Sequence, residues 1–317
     1  MNRIPILLLA SAGAVMLFCR NGEAAPQKQL PNPIIEGIGQ PKSVVAAGAT
    51  GSLTEALALE VPQGRKGIQP KLNLLYNSNG GLSPAGLGWL LDVGHIEPDS
   101  TDGIPQSAPF DSVLVDIAGA SARFVNIGGN EYRARDEAAY RDLRQVGSHW
   151  EVRDPDGNVF LFGSQVSNQV AGSYWALDAV QDPNGNVMTI QYKNDGSGAL
   201  YPIQIAYTGN VQTGETGTNT IELQYDSRPD VRISQRDGFR QETALRVASV
   251  VASAQGQPAL TYQFGYEESL TTHRSLLTSV TLVGTDGTTS IGARTYAYTA
   301  SELVCARFLI EARGVTA

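Results

Sequence analysis

The sequence predicts an all-β fold: many short antiparallel strands in stacked, repeat-like sheets, with little helix. Three observations predict it. The 317 residues include 34 Gly and 16 Pro but only 17% charged residues, and long helices need charged outer faces and few Gly or Pro. Strand-length runs alternate apolar with polar residues. A five-residue turn motif recurs at a fixed spacing, as stacked supersecondary units require.

The first strand signals follow a leader. Leu53, Leu57, Leu59 and Val61 alternate with Thr54 and Glu60. A turn cluster, Pro62 to Gly67, leads to Pro70–Tyr76, with Leu72 and Leu74 on one face. A glycine-dense segment, Asn77 to Trp89, reads as a loop packed against a sheet. Ile221, Leu223 and Tyr225 form one alternating strand, and Leu260, Tyr262, Phe264 and Tyr266 another. Their tyrosines are expected to pack cross-strand, with hydroxyls at the rim of the core. Thr285-Asp286-Gly287-Thr288 between Val280–Leu282 and Arg294–Thr299 predicts a hairpin whose two central residues have positive φ. Helix is expected only at Glu137–Arg144 and Glu302–Arg313, neither of them well capped.

The repeat is Asp154-Pro155-Asp156-Gly157-Asn158, returning 28 residues later as Asp182-Pro183-Asn184-Gly185-Asn186. Each copy is preceded by a tryptophan, Trp150 or Trp175, and followed by a strand. Proline sets φ at the first turn position, Asx accepts the next, and glycine takes the left-handed one.

The N-terminus reads as an export signal. Met1-Asn2-Arg3 is positive, Ile4 to Phe18 carries no charge, and Gly22-Glu23-Ala24 offers a cleavage site before Ala25. The run is short for a span of roughly 20 residues. Lipidation at Cys19 is disfavoured because Phe18 stands where a small residue is wanted. The expected organisation is a signal peptide at 1–24, a flexible proline-rich leader at 25–43, a β-rich module at 44–300 and a C-terminal tail at 301–317. The destination is outside the cell, or the periplasm. Cleavage would leave Cys305 alone, so no internal disulfide is expected and the fold must rest on its core. A net charge of −8 with no basic run argues against nucleic acid as a partner, and the mature chain offers no membrane span.

Chemistry-bearing residues are few. His95, His149 and His273 stand apart, with no metal or triad spacing. Asp154, Asp156 and Asn158 are spaced like the first ligands of a calcium loop, but Val159 and Gln165 replace its glycine and bidentate glutamate. Gly80 to Gly88 lacks the Gly-Lys-Ser/Thr of a phosphate cradle. Asp92, Glu97, Asp99 and Asp102 form a carboxylate-rich stretch, read as a solvated acidic loop in preference to a glycosidase pair. No catalytic, metal-binding or cofactor-binding residue is assigned, no cofactor is expected, and the chain is not read as an enzyme.

The order Val61-Pro62, Gly64-Arg65, Gly67, Pro70, Leu74-Leu75-Tyr76-Asn77-Ser78, Gly80-Gly81, Gly86-Leu87-Gly88-Trp89, Gly94-His95-Ile96 resembles the opening of the SpvB/TcB toxin family. Trp175 with Asp182–Asn186 and Ile190-Gln191-Tyr192, then Tyr201-Pro202, Ile205, Tyr207, Leu223, Tyr225 and Arg228-Pro229-Asp230, continue the resemblance over about residues 44–300. The D-x-x-G-N turns are also similar to Rhs/YD-repeat proteins. The resemblance implies a structural scaffold in a secreted toxin system: part of a β-rich shell that encloses a toxic segment or precedes an ADP-ribosyltransferase domain. It also implies other toxin-complex chains, or a continuation of the shell, as partners. No Glu-x-Glu pair for ADP-ribosyl transfer occurs in the sequence, and Cys305–Ala317 departs from the family pattern, as a truncated member would. The competing readings are a free-standing lectin-like binding module and, behind it, a glycoside hydrolase.

Overall fold

The computed structural model describes residues 19–21, 43–47, 51–101, 103, 108–117, 119–136, 141–170, 172–194, 196–235, 240–298 and 303–305. The chain divides into two units, Met1–Asn32 with Tyr298–Ala317, and Pro33–Ala297. In the first, β1 (Cys19–Asn21) pairs antiparallel with β24 (Leu303–Cys305), Cys19 opposite Cys305. Otherwise the predicted signal, leader and tail lie outside the described residues, apart from Ser43 at the start of the next strand.

The second unit is antiparallel β-structure throughout, as the sequence predicts. It opens with β2 (Ser43–Ala47), β3 (Leu53–Leu59), β4 (Leu72–Asn77), β5 (Leu82–Ser83), β6 (Gly86–Leu87) and β7 (Trp89–Leu91). Strands β2, β3, β4 and β7 form one sheet in that order, and β5–β6 is a small hairpin between β4 and β7. Leu57 and Leu59 of β3 share a buried face with Leu72 and Leu74 of β4, as the period-two pattern requires.

A ring of eight strands follows: β8 (His95–Pro98), β9 (Ser112–Ile117), β10 (Ala120–Gly128), β11 (Glu131–Ala134), β12 (Asp142–Val146), β13 (His149–Arg153), β14 (Val159–Phe162) and, after the short β15 (Gln169–Val170), β16 (Tyr174–Gln181). Each pairs with the next, and β16 closes the barrel by pairing with both β14 and β8. Side chains fill a barrel of this size: Val113, Val115, Phe124, Tyr132, Leu143, Trp150, Val152 and Phe162 are buried. Trp150 packs edge-on against Tyr132 (5.0 Å between centroids) and Trp175 (5.6 Å).

Strand β16 also starts an open meander: β17 (Asn186–Asn194), β18 (Leu200–Asn210), β19 (Asn219–Ser234), β20 (Gln241–Ala254), β21 (Gln257–Glu268), β22 (Ser275–Val283) and β23 (Ser290–Thr295). Among the described residues β23 pairs only with β22, so it forms the outer edge.

Both DPxGN segments are turns, between β13 and β14 and between β16 and β17, with the same bonding. Asp154 accepts from the Asn158 N–H (2.9 Å) and side-chain amide (2.8 Å), and Asp182 does so from Asn186 (2.8 and 2.6 Å). Gly157 and Gly185 are left-handed, at φ 81° and 78°. Because β14 and β16 are neighbours, the two turns lie side by side. A Cβ on Gly157 would come within 2.9 Å of Pro183 Cγ. Gly157→Ala is therefore expected to destabilise the protein by about 1–2 kcal/mol, measurable by urea unfolding. An unchanged midpoint would contradict the turn geometry.

Two local expectations change. The Thr285–Thr288 hairpin joins β22 to β23, but only Gly287 has positive φ (72°). The Gly287 N–H donates to the Gly284 carbonyl, and Asp286 Oδ1 accepts from the Thr288 and Thr289 N–H groups. The longer loop needs one left-handed residue after the turn, not two within it. The helix expected at Glu137–Arg144 is replaced at its C-terminal end by β12, where Leu143 is buried between exposed Asp142 and Arg144. Pairing with β11 and β13 outweighs local helix propensity there. Residues 137–140 lie outside the described residues, as does most of 302–313.

Candidate functional site

The densest group of titratable side chains gathers where β8 meets β9 and β16. Gly94 makes the approach feasible: its φ is 131°, and a Cβ would lie 3.1 Å from the Asp116 carbonyl oxygen. The Gly94 N–H donates to Asp92 Oδ1 (3.1 Å), and His95 Nδ1 lies 3.0 Å from Asp92 Oδ2. His95 faces Asp116 across the β8–β9 ladder and Ala176 across β8–β16. Its ring stacks on Tyr174, with centroids 4.9 Å apart and planes within 14°. Asp116 accepts from the Gly119 N–H at 2.8 Å.

Burial works against a charged His95, but the charge and hydrogen bond of Asp92 outweigh it, with Glu97 and Asp116 adding to the effect, and hold its pKa up to about 9. Burial, and then the charge of Asp92, push Asp116 up to about 6. At neutral pH His95 is thus an imidazolium held between carboxylates. Such a group has no free base to offer a substrate, and the arrangement ties three strands together.

This cluster gives stability a defined pH dependence. His95 binds its proton more tightly folded than unfolded, where its pKa is about 6.5. Its contribution is fully present below about 6.5 and is lost as pH rises through about 9, a change on the order of 3 kcal/mol. Asp116, raised from 3.8 to about 6, acts in the same sense at lower pH: its ionisation weakens the fold as pH climbs through about 6. The thermal midpoint should fall between pH 7 and 9.5 in the native protein and stay flatter in His95→Gln. Parallel curves for the two proteins would contradict the assignment.

The sequence placed Asp92 and His95 near each other but gave no sign of Asp116 or Tyr174, which the strand order supplies. The other candidates do not converge on this group. Asp99 binds Arg123 Nε (2.8 Å), Ser112 and Thr101. Asp102 lies outside the described residues. His149 neighbours Glu151 at 3.7 Å, and His273 neighbours Glu268 at 2.6 Å. The Asp154 and Asp182 carboxylates accept hydrogen bonds from their turn donors. Among the described residues no group of three His, Cys, Asp or Glu could hold a metal ion.

A second group anchors the glycine-rich hairpin. Arg228 of β19, its side chain 0% exposed, pairs with Asp230 through Nε (2.9 Å) and through its second nitrogen (3.2 Å). It also donates to the Ser83 carbonyl oxygen at 2.8 Å. Asp230 in turn accepts from the Ser275 N–H and Oγ, both at 2.7 Å. Burial opposes its charge, but the Arg228 hydrogen bonds and the Ser275 donors hold its pKa down to about 2. The Arg-Pro-Asp motif therefore fastens β5 to β19 and β22. Glycines allow the hairpin itself to fold closely: a Cβ on Gly80 would lie 2.8 Å from the Asn77 carbonyl oxygen.

Residues 47–123, from the end of β2 into β10, match the family model described as SpvB, Salmonella virulence plasmid 65kDa B protein. The match covers about a quarter of the chain. The fold around it is of the SpvB/TcB type. Several solved structures share it, three of which illustrate the likeness. The first is TcdB2-TccC3, at TM-score 0.64 and 20% identity, covering 83% of this chain and 17% of that one. The N-terminal domain of the effector protein SpvB from Salmonella typhimurium strain LT2 gives 0.57 and 17%, covering 72% and 98%. The Photorhabdus luminescens Tc holotoxin pore gives 0.65 and 19%, covering 89% and 16%. The chain thus spans about a sixth of the length of TcdB2-TccC3. No curated protein matches it. At these identities the structural likeness speaks for the fold. It accounts for the motifs quoted from the sequence, since Trp89, Asp182–Asn186 and Arg228–Asp230 all serve packing, turns or anchoring.

Proposed function

We propose that this chain is an exported structural module of an SpvB/TcB-type toxin system, contributing β-sheet to a shell and carrying no catalytic centre of its own. The observation that carries this reading is the architecture: a packed barrel continuing through β16 into a meander whose outer strand, β23, has one paired side among the described residues. An edge of this kind is ready to accept a further strand. The match to nearly all of the SpvB N-terminal domain and to a sixth of the Tc chains supports a part that works beside other parts. The partners are toxin-complex chains that extend the sheet. The His95 cluster supports the non-catalytic reading, because its charges are spent on one another.

Co-expression with the other chains of a Tc-type toxin complex tests the assignment. The chain is expected to co-elute with them in size exclusion, with β23 becoming protected from hydrogen exchange. A chain that stays alone with β23 unprotected would overturn the reading. Labelled NAD incubated with the chain and a host extract is expected to give no labelled protein, and clear transfer would refute the non-catalytic assignment.

A further inference from the structure

A cavity of about 600 Å³ lies between the β3–β4–β7 sheet and the β5–β6 hairpin, with Arg232 of β19 in its wall. We propose that it binds a small, singly charged, carboxylate-headed amphiphile, with the carboxylate on Arg232 and the apolar body against Tyr76, Trp89 and Leu90. The site is separate from the shell-forming role.

Two arginines four positions apart on one strand make the contrast. Arg228 is saturated by a bidentate carboxylate and a carbonyl. Arg232 donates from one nitrogen to the Leu82 carbonyl oxygen at 2.9 Å, and among the described residues no carboxylate pairs with it. A guanidinium carries five N–H donors in a planar fork, so one bond fixes its position and leaves donors for a carboxylate facing the cavity. The adjoining position is Gly81. A Cβ there would stand 4.0 Å from the same guanidinium nitrogen, and glycine keeps the approach open.

The remaining walls choose the rest of the ligand. Leu90 is 41% exposed, a large apolar side chain left uncovered where the cavity opens. Tyr76 and Trp89 stand together behind it, ring centroids 5.0 Å apart. A cavity of this size with mainly apolar walls and a few placed polar groups has the usual form of a small-molecule site. Glu55 lines the same cavity and keeps Arg294 at 3.6 Å. Its carboxylate disfavours a doubly charged head such as a phosphate monoester, so a single carboxylate fits the charge balance.

The test is calorimetric titration of the full chain with octanoate, with Trp fluorescence as a second readout and octanamide and octyl phosphate as comparison ligands. One saturable site for octanoate is expected, weakened about ten- to a hundredfold in Arg232→Gln, with octanamide and octyl phosphate both binding more weakly. Gly81→Asp places a carboxylate beside Arg232 while keeping the bond to Leu82. It should lose octanoate binding without a change in thermal midpoint, and it decides the matter if Arg232→Gln fails to fold. Absence of a saturable site, equal binding by octanamide or octyl phosphate, or undiminished binding in either variant would overturn the proposal.

Discussion

Replacing Arg228 with alanine is expected to cost the fold about 3–5 kcal/mol, because it strands a buried carboxylate without its cation. The side chains of Arg228 and Asp230 are 0% and 2% exposed, so water cannot take over the missing role. The loss extends beyond the pair, since Arg228 also holds the Ser83 carbonyl and with it the β5–β6 hairpin. Urea unfolding should show a large fall in midpoint, and the hairpin amides should lose hydrogen-exchange protection. A cost within about 1 kcal/mol, the range of an exposed ion pair, would refute the anchoring role. The same pair sets an acid limit. Asp230 is held at about 2 from a usual 3.8, so its contribution is present above about pH 3.8 and disappears as pH falls through about 2.

Trp150→Ala should cost about 3–5 kcal/mol, as for other large aromatic side chains removed from a core. Trp150 is fully buried and touches Tyr132 on one side and Trp175 on the other. Trp150→Phe should cost much less. The indole Nε1 is buried with no hydrogen-bond partner among the described residues, so phenylalanine keeps most of the packing and removes an unsatisfied donor. Equal losses in the two variants would mean that the indole nitrogen contributes something the packing does not reveal.

What could be read from the sequence follows the range of the forces involved. The DPxGN turns were legible because five consecutive residues hold all of their chemistry. The alternating strands at Leu72–Leu74, Ile221–Tyr225 and Leu260–Tyr266 were legible because one buried face imposes a period of two. The barrel was not, because its closing pairs, Ile96 with Trp175 and His95 with Ala176, join residues far apart along the chain. The His95 cluster was half visible for the same reason: Asp92 is a near neighbour, whereas Asp116 and Tyr174 arrive only through the sheet. Arg228-Pro229-Asp230 could be quoted as a motif but not explained, since its partners Ser83 and Ser275 lie 145 and 45 residues away. The helix expected at Glu137–Arg144 failed where a buried Leu143 between two partner strands mattered more than local preference.

The strand shared by barrel and meander also imposes an order of assembly on a chain delivered from its N-terminus. Strands β8 to β14 can zip together as hairpins while the chain emerges, because each pairs with a neighbour in sequence. They then remain an unclosed ribbon, with bare edges at both β8 and β14, until Tyr174–Gln181 arrives. The meander beyond has no such wait, since every later strand joins the one just laid down. Loop closure over such a distance is the slow step in β-rich folding. A chain halted before Tyr174 is therefore the species most exposed to edge-to-edge aggregation, and one halted a few strands later already holds a sealed barrel.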